Sequence, residues 1–432
     1  MSIREICELA KAASVKMAAV KTDVKNSALA EIAKALLARS GEIVAANQKD
    51  LAEAHKSGLA EPLLKRLAFN EDKIAGVCAG IESLIALDEP VGRTLTATEL
   101  DSGLELYKVS CPIGVIGVVF ESRPDALVQI STLCLKSGNA VILKGGSEAR
   151  HTNSILAEVI GQAGRAAGLP DGWIELLQTR EDVASMLKMD EYIDLIIPRG
   201  SNEFVRYIMN NTNIPVLGHA EGLCHVYVEA QADLDMAVNI VVDSKCQYVA
   251  VCNAAETLLV DEKIAKAFLP KVKEALEAKN VEIRGCEKTA AIIDVKKASQ
   301  ADWMTEYLDL IISVKVVGGL DEAAEFINKY GSGHTDVIVT ADGQKARKFM
   351  DLVDSANVFW NASSRFSDGY RYGLGAEVGI STNKIHARGP VGLEGLLIYK
   401  WKLLGSGQVV ADYAGGAKKF THKRLDKNCF DA

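Results

Sequence analysis

Ala140-Val141-Ile142-Leu143-Lys144-Gly145-Gly146-Ser147-Glu148 decides the fold class. Four apolar residues in a row, with no polar residue to face solvent, describe a strand covered on both sides, and the lysine and glycine pair end it in a turn. The same kind of run recurs at Val115 to Phe120, Ile174 to Leu177 and Leu195 to Ile197, with helical stretches between. Apolar runs separated by helices predict a parallel sheet with helices on both faces, an α/β fold. A second alternating set follows at Val226 to Val228, Thr257 to Val260, Asp336 to Thr340 and Asn357 to Trp360. The loop-like segment Gly218 to Gly222 lies between the two sets and marks the expected boundary between lobes.

Upstream, Leu29, Ile32, Ala33, Leu36 and Leu37 recur at helical spacing, and helices are predicted from Ser2 to about Leu95. Leu104, Leu106 and Tyr107, after the turn residues Asp101, Ser102 and Gly103, give the first strand signal. At 432 residues the chain is longer than one hydrophobic core usually spans, so two lobes are expected. A net charge of −8 disfavours nucleic acid or an anionic membrane as main partner, since both call for clustered Lys and Arg. No apolar run approaches membrane-spanning length, and Ser2 to Val20 reads as an amphipathic helix, not a leader. Nine scattered cysteines without a Cys-x-x-Cys pair predict reduced thiols in the cytoplasm, and neither a disulfide framework nor a metal site.

Three motifs carry chemistry. Lys144 places a cation at the carboxyl edge of a parallel strand, where open sheets bind ligands. Leu195 to Glu203 repeats the strand-turn-helix pattern, and the helix start beyond Gly200 could hold a pyrophosphate. No G-x-G-x-x-G is suitably placed, so these residues alone leave the cofactor undecided. Cys252, in Gln247 to Val260, is read as a thiol opening a helix ahead of a strand at Leu258 to Val260, where the helix end would favour the thiolate. On spacing alone a small buried hydrophobe is the better reading of Cys252. His225 beside Cys224 is assigned to a strand interior, whereas His334, in Gly333 to Asp336, and His386 with Arg388 are placed in loops that favour functional polar groups. Asn361 to Gly369 can offer a cation and an anion to an amino-acid head group.

Taken together, Pro112 to Pro124, the lysine motif and the Cys252 run resemble the aldehyde dehydrogenase superfamily in order and spacing. Phe120 to Asp125, Cys252 to Val260, Gly333 to Asp336 and Ile385 to Gly395 resemble the branch that reduces L-glutamyl 5-phosphate to L-glutamate 5-semialdehyde in proline biosynthesis, and the likeness spans the chain. The resemblance implies an aldehyde dehydrogenase-like fold. Its parts would be a Rossmann-like cofactor domain over 1–98 and 113–221, a catalytic domain over 222–390, and a small antiparallel oligomerisation element from 99–112 and 391–432.

It further implies an NADP-dependent, phosphorylating oxidoreductase in which Cys252 forms a thioester and NADPH delivers a hydride. Lys144 matches the lysine that holds the adenosine ribose, Gly200 and Ser201 the pyrophosphate turn, and Glu306 the glutamate at the nicotinamide ribose. The second glycine of the turn is missing, with Val205 near its place. Ser147 stands where NAD-preferring relatives often carry an acid, which favours NADPH/NADP+. Ser122 takes the place of the oxyanion-hole asparagine, leaving more of that task to the Cys252 amide and Asn253. Arg123, His219, Ser364 and Arg365 are the candidates for substrate contact. His219 falls where hydrolytic relatives place a water-activating glutamate, and it equally reads as a packing residue. A homo-oligomer and a glutamate 5-kinase are the implied partners. Hydrolytic or coenzyme A-acylating aldehyde chemistry is the alternative, and a silent scaffold the reading from a different class.

Overall fold

The computed structural model describes residues 1–178 and 180–430, which fall into two compact units. Met1–Leu217, Gly375–Gly379 and Val391–Ala432 form one, and Gly218–Leu374 with Ile380–Pro390 the other. The expected cofactor and catalytic ranges were drawn to 221 and from 222, four residues later than this division. The antiparallel sheet expected to stand apart clusters with the first unit.

The first unit opens with helices from Ile3–Met17 to Glu71–Ala86, whose apolar stripes are buried at Ala28, Leu29, Ile32 and Leu36. Ser2 starts the first with a capping box, its hydroxyl accepting the Glu5 amide while the Glu5 carboxylate accepts that of Ser2. Val115–Phe120 lies between Ala140–Gly145 and Leu195–Arg199, and Ile174–Leu177 completes a four-stranded parallel sheet among the described residues. The chain runs outward through three strands and returns to the other side of the first. The carboxyl ends of Phe120 and Arg199 therefore flank a topological switch point, the usual crevice for a ligand in an open sheet.

In the antiparallel sheet, Leu104–Pro112 pairs with Thr94–Asp101 and, from Leu397↔Pro112 to Leu404↔Glu105, with Leu397–Leu404. Leu397–Leu404 is an edge strand with Tyr399, Trp401 and Leu403 exposed. Thr94–Asp101 went unpredicted because Thr-Leu-Thr-Ala-Thr-Glu-Leu-Asp contains no apolar run.

The second unit is built on a seven-stranded parallel sheet ordered Lys296–Lys297, Glu282–Gly285, Ile311–Val317, Ala255–Asp261, Cys224–Val228, Thr335–Val339, Asn357–Trp360. Every strand singled out in the sequence is present. Ile311–Val317 was missed because Ser313 and Lys315 interrupt it; buried Ser313 is accommodated by the Tyr307 hydroxyl at 2.8 Å. Because the strands are parallel, the loops entering Cys224, Ala255, Ile311 and Thr335 converge on one edge of the sheet. Gly222, Cys252, Glu306 and His334 sit on those four loops, although 112 residues separate the first from the last.

Candidate active site

Cys252 does not open a helix. The helix Leu234–Cys246 ends before it, a tight turn joins the Ala254 amide to the Val251 carbonyl at 3.1 Å, and the strand Ala255–Asp261 follows at once. The all-apolar Leu258 to Val260 run draws the chain into the sheet, leaving no room for a further helical turn. What stands beside the thiol is an imidazole: His334 Nε2 lies 3.1 Å from the Cys252 Sγ. The His334 Nδ1 lies 2.8 Å from the Thr335 Oγ1, and Asn357 Nδ2 donates to the His334 carbonyl at 2.9 Å. His334 is fully buried, and burial holds its basicity well below the ordinary histidine range, with His219 acting in the same direction.

His219 meets the His334 ring edge-on, with centroids 5.0 Å apart, and its Nδ1 lies 2.9 Å from the Ile380 carbonyl oxygen. One ring nitrogen each of His219 and His334 and the Cys252 sulfur lie within 4.8 Å of one another. Cys224 lies beneath them and donates its thiol to the Cys252 carbonyl at 3.2 Å. No disulfide joins any of the nine cysteines.

Several contacts fix the nucleophile turn. The Ser364 hydroxyl donates to the Asn253 carbonyl at 2.7 Å, and Asn253 Nδ2 donates to the Ser367 carbonyl at 2.8 Å. Ser364 is wholly buried by this arrangement. Its hydroxyl secures the loop. Asn253 Oδ1 is buried without a hydrogen-bond partner among the described residues. Lys245, at the helix end before the turn, forms a buried 2.6 Å ion pair with Glu256 at the strand start after it. Burial pushes the Glu256 carboxyl up to about 7, against the pull of Lys245. Arg365 is nearly buried, with Nε donating to Gln247 at 2.9 Å. Burial and then Arg371 lower its hold on the proton, while a charged Cys252 opposes them. Glu306 accepts the Gly222 amide at 3.0 Å.

In the first unit, Lys144, Ser147 and Glu148 line a pocket of about 370 Å³ with Glu121, Gly145, Gly146, Phe204 and Tyr207. That volume is in the range of small-ligand sites. Lys144 is buried and donates to the Gly145 carbonyl, while Ser147 is exposed. Ser201 accepts the Phe204 amide at 3.4 Å and so caps the helix Asn202–Asn210; its own amide donates to the Glu121 carboxylate at 3.0 Å. A Cβ on Gly200 would stand 2.5 Å from that carboxylate. Ser122 has a φ of 46°, and its amide and hydroxyl both donate to Glu148 Oε1, at 2.6 and 2.8 Å. Arg123 pairs with Asp125 at 2.8 Å.

The structure thus brings Cys252, Asn253, His219, Glu306, Ser364 and Arg365 together in one unit, and gathers Ser122, Arg123, Lys144, Ser147, Gly200 and Ser201 around the switch point of the other. His334 was singled out as a loop histidine but not named for the site; its neighbour could be found only from the strand order. Glu121 and Glu148, two acids lining that pocket, lay within quoted motifs but were not named for the site.

Residues 1–313 match the model of the aldehyde dehydrogenase family. The chain is 66% identical over 427 residues to the gamma-glutamyl phosphate reductase of Ruminiclostridium cellulolyticum, with 99% of each covered. It is 64% identical over 428 residues to that of Pelotomaculum thermopropionicum, again with 99% of each covered. The crystal structure of gamma-glutamyl phosphate reductase from Thermotoga maritima superposes with a TM-score of 0.92 at 42% identity, covering 95% of this chain and 100% of that one. An α/β fold with two parallel sheets and a small antiparallel one, a thiol held at a sheet edge, and likeness along its whole length show that the chain belongs to the gamma-glutamyl phosphate reductases of the aldehyde dehydrogenase family.

Proposed function

We propose that the chain reduces L-glutamyl 5-phosphate to L-glutamate 5-semialdehyde, releasing phosphate, by way of a Cys252 thioester. The observation that carries this reading is the Cys252 thiol, partly exposed on a braced turn and 3.1 Å from an imidazole, in a chain of this family. Sulfur displaces phosphate at C5 and conserves the activation of the acyl group in a thioester. The Cys252 amide, with Asn253 next to it on the turn, is the donor available to the carbonyl oxygen as charge develops on it.

The pocket around Lys144 suits a phosphorylated ribose. Gly145, Gly146 and Gly200 leave no side chain in the way, and Lys144 and Ser147 present a cation and a neutral hydroxyl. Lys144, Ser147, Gly200 and Ser201 would hold NADPH there; bound, it supplies the hydride that reduces the thioester. Two carboxylates share the pocket, so the preference for a 2'-phosphate rests on Glu148 remaining engaged with Ser122. Arg365 is a cation available to the substrate's carboxylate in the unit that holds the thiol, and His219 in place of a carboxylate spares the thioester from water. The first unit is then the cofactor domain and the second the catalytic domain. The exposed aromatic edge of Leu397–Leu404 joins a second copy of the chain. Its reduced thiols fit a cytoplasmic enzyme fed by a glutamate 5-kinase.

The test is oxidation of glutamate 5-semialdehyde with NADP+ while inorganic phosphate is varied. Phosphate-dependent NADPH formation is expected. A rate unchanged when phosphate is withdrawn, with glutamate as product, would establish the hydrolytic alternative; a requirement for coenzyme A would establish the acylating one.

A further inference from the structure

We propose that His334 carries the proton of Cys252, taking it from the thiol as sulfur attacks the acyl carbon and passing it to the phosphate oxygen that leaves. The inference rests on the reductase reading for its second half, and on the Cys252 to His334 contact alone for its first.

The geometry supplies each part. His334 Nε2 is 3.1 Å from Sγ, a hydrogen-bonding distance for sulfur. The His334 Nδ1 lies 2.8 Å from the Thr335 Oγ1, and Thr335 and Asn357 hold the loop from both sides. Assigning the Nδ1 proton to the Thr335 contact leaves the Nε2 lone pair facing the thiol, the tautomer a base requires. His219 engages its own Nδ1 in the same way, with the Ile380 carbonyl, so the 3.1 Å contact of Nε2 with Sγ is what assigns the proton to His334. The Cys224 thiol donates to the Cys252 carbonyl and lies 3.7 Å from the His334 Nδ1. Arg365 senses a charge on Cys252. These groups, with Glu306 bonded to Gly222 and with Asp336 and Glu256 acting on Cys224, are among the titratable surroundings of the pair.

The balance closes. The S–H proton moves to Nε2, the S–C bond forms, and the C–O bond to phosphorus breaks. The departing oxygen leaves the carbon that sulfur has just joined, beside the same imidazolium, which returns the proton and becomes neutral. Phosphate thus leaves as the monohydrogen dianion instead of the trianion. After hydride addition the adduct collapses to aldehyde and thiolate, and solvent restores the thiol, so one proton is consumed per turnover. Burial makes the His334 imidazolium a ready donor, which suits a carrier better than a standing ion pair.

The test uses the full chain with His334→Gln and His334→Ala. Without substrate, the rate at which iodoacetamide alkylates Cys252, read on its peptide by mass spectrometry from pH 6 to 9, is expected to fall at least tenfold at pH 7 in both variants. The wild-type rate should persist below the range where an ordinary thiol, of pKa about 8.5, ionises. Turnover should fall roughly 10²- to 10⁴-fold, with NADPH affinity unchanged. Equal alkylation rates in folded variants would overturn the proposal. So would a wild-type profile that follows a single ordinary thiol ionisation, a measurement that needs no variant. Slowed alkylation in a chain whose wild type lacks phosphate-linked activity would leave the base in place and remove the reductase reading instead.

Discussion

Gly222 packs so closely on Cys252 that a Cβ on the glycine would stand 2.0 Å from the cysteine carbonyl oxygen and 2.3 Å from its Cα. Both are backbone atoms that cannot swing aside, so Gly222→Ala must push the nucleophile turn away from the sheet edge. Overpacking of this kind costs about 1 to 3 kcal/mol, whereas misplacing a reacting atom by an ångström can cost about 10²-fold in rate. Turnover is therefore expected to fall much further than thermal stability, as kcat and a melting curve would show together. Unchanged kcat would mean that the turn does not set the position of Sγ.

Lys245 and Glu256 clamp the two ends of the same turn. Lys245→Met leaves a buried carboxylate alone and should destabilise the fold by about 3 to 5 kcal/mol at pH 8. The Glu256 carboxyl, raised by burial from its ordinary 4.5 to about 7, binds a proton in the native state that the unfolded chain lacks in this window. Its ionisation thus lowers stability as pH rises from about 4.5 to 7, and losing Lys245 strengthens the trend. The variant should lose less stability at pH 6 than at pH 8. Urea titrations giving the same loss at both pH values would contradict this.

Asp302 behaves in the opposite way. Burial works against its ionisation, but Arg284 Nη1, the Ser299 amide and hydroxyl, and the Tyr307 hydroxyl, each 2.7 Å away, hold it well below its ordinary 3.8. A depressed carboxyl stabilises the fold above about 3.8, and that stability is lost as the pH falls further. Asp302→Asn is expected to cost about 2 kcal/mol at pH 7 and to flatten the acid limb of the stability curve. An acid limb identical to wild type would assign it to other carboxylates.

Ser147→Glu should weaken NADPH more than NADH by about 1 to 3 kcal/mol, since a new carboxylate would meet the 2'-phosphate across partly screened space. Fluorescence titration of both cofactors gives the two affinities. Equal losses would show that position 147 does not face the adenosine ribose.

The alternating apolar runs made both parallel sheets legible in the sequence, because a strand buried on two faces has no polar residues to hide it. Strands with mixed or polar faces, Thr94–Asp101, Glu282–Gly285, Lys296–Lys297 and Ile311–Val317, left no such trace. Lys144 stood out through its motif, Cys252 through its run read together with the neighbouring motifs, and Glu306 only through the position that the resemblance implies. The helix assigned to Cys252 was the error, since small residues before a strand read equally as a helix start or a turn. His334 and Cys224 meet the nucleophile only through the order Ala255–Asp261, Cys224–Val228, Thr335–Val339, a pairing that local pattern does not encode.

The Glu121 carboxylate on the Ser201 amide has a consequence for cofactor exchange. A dinucleotide pyrophosphate that sought the same amide would meet an incumbent of its own charge. Arrival is then a swap, and the affinity measured is a difference between two anions competing for one donor. Departure is assisted, because the side chain that yielded is tethered a bond or two away and returns without diffusing. If the coenzyme's pyrophosphate takes that amide, turnover gains from such a built-in rival, at the expense of tightness. Glu121→Gln would hold the coenzyme longer and cycle more slowly.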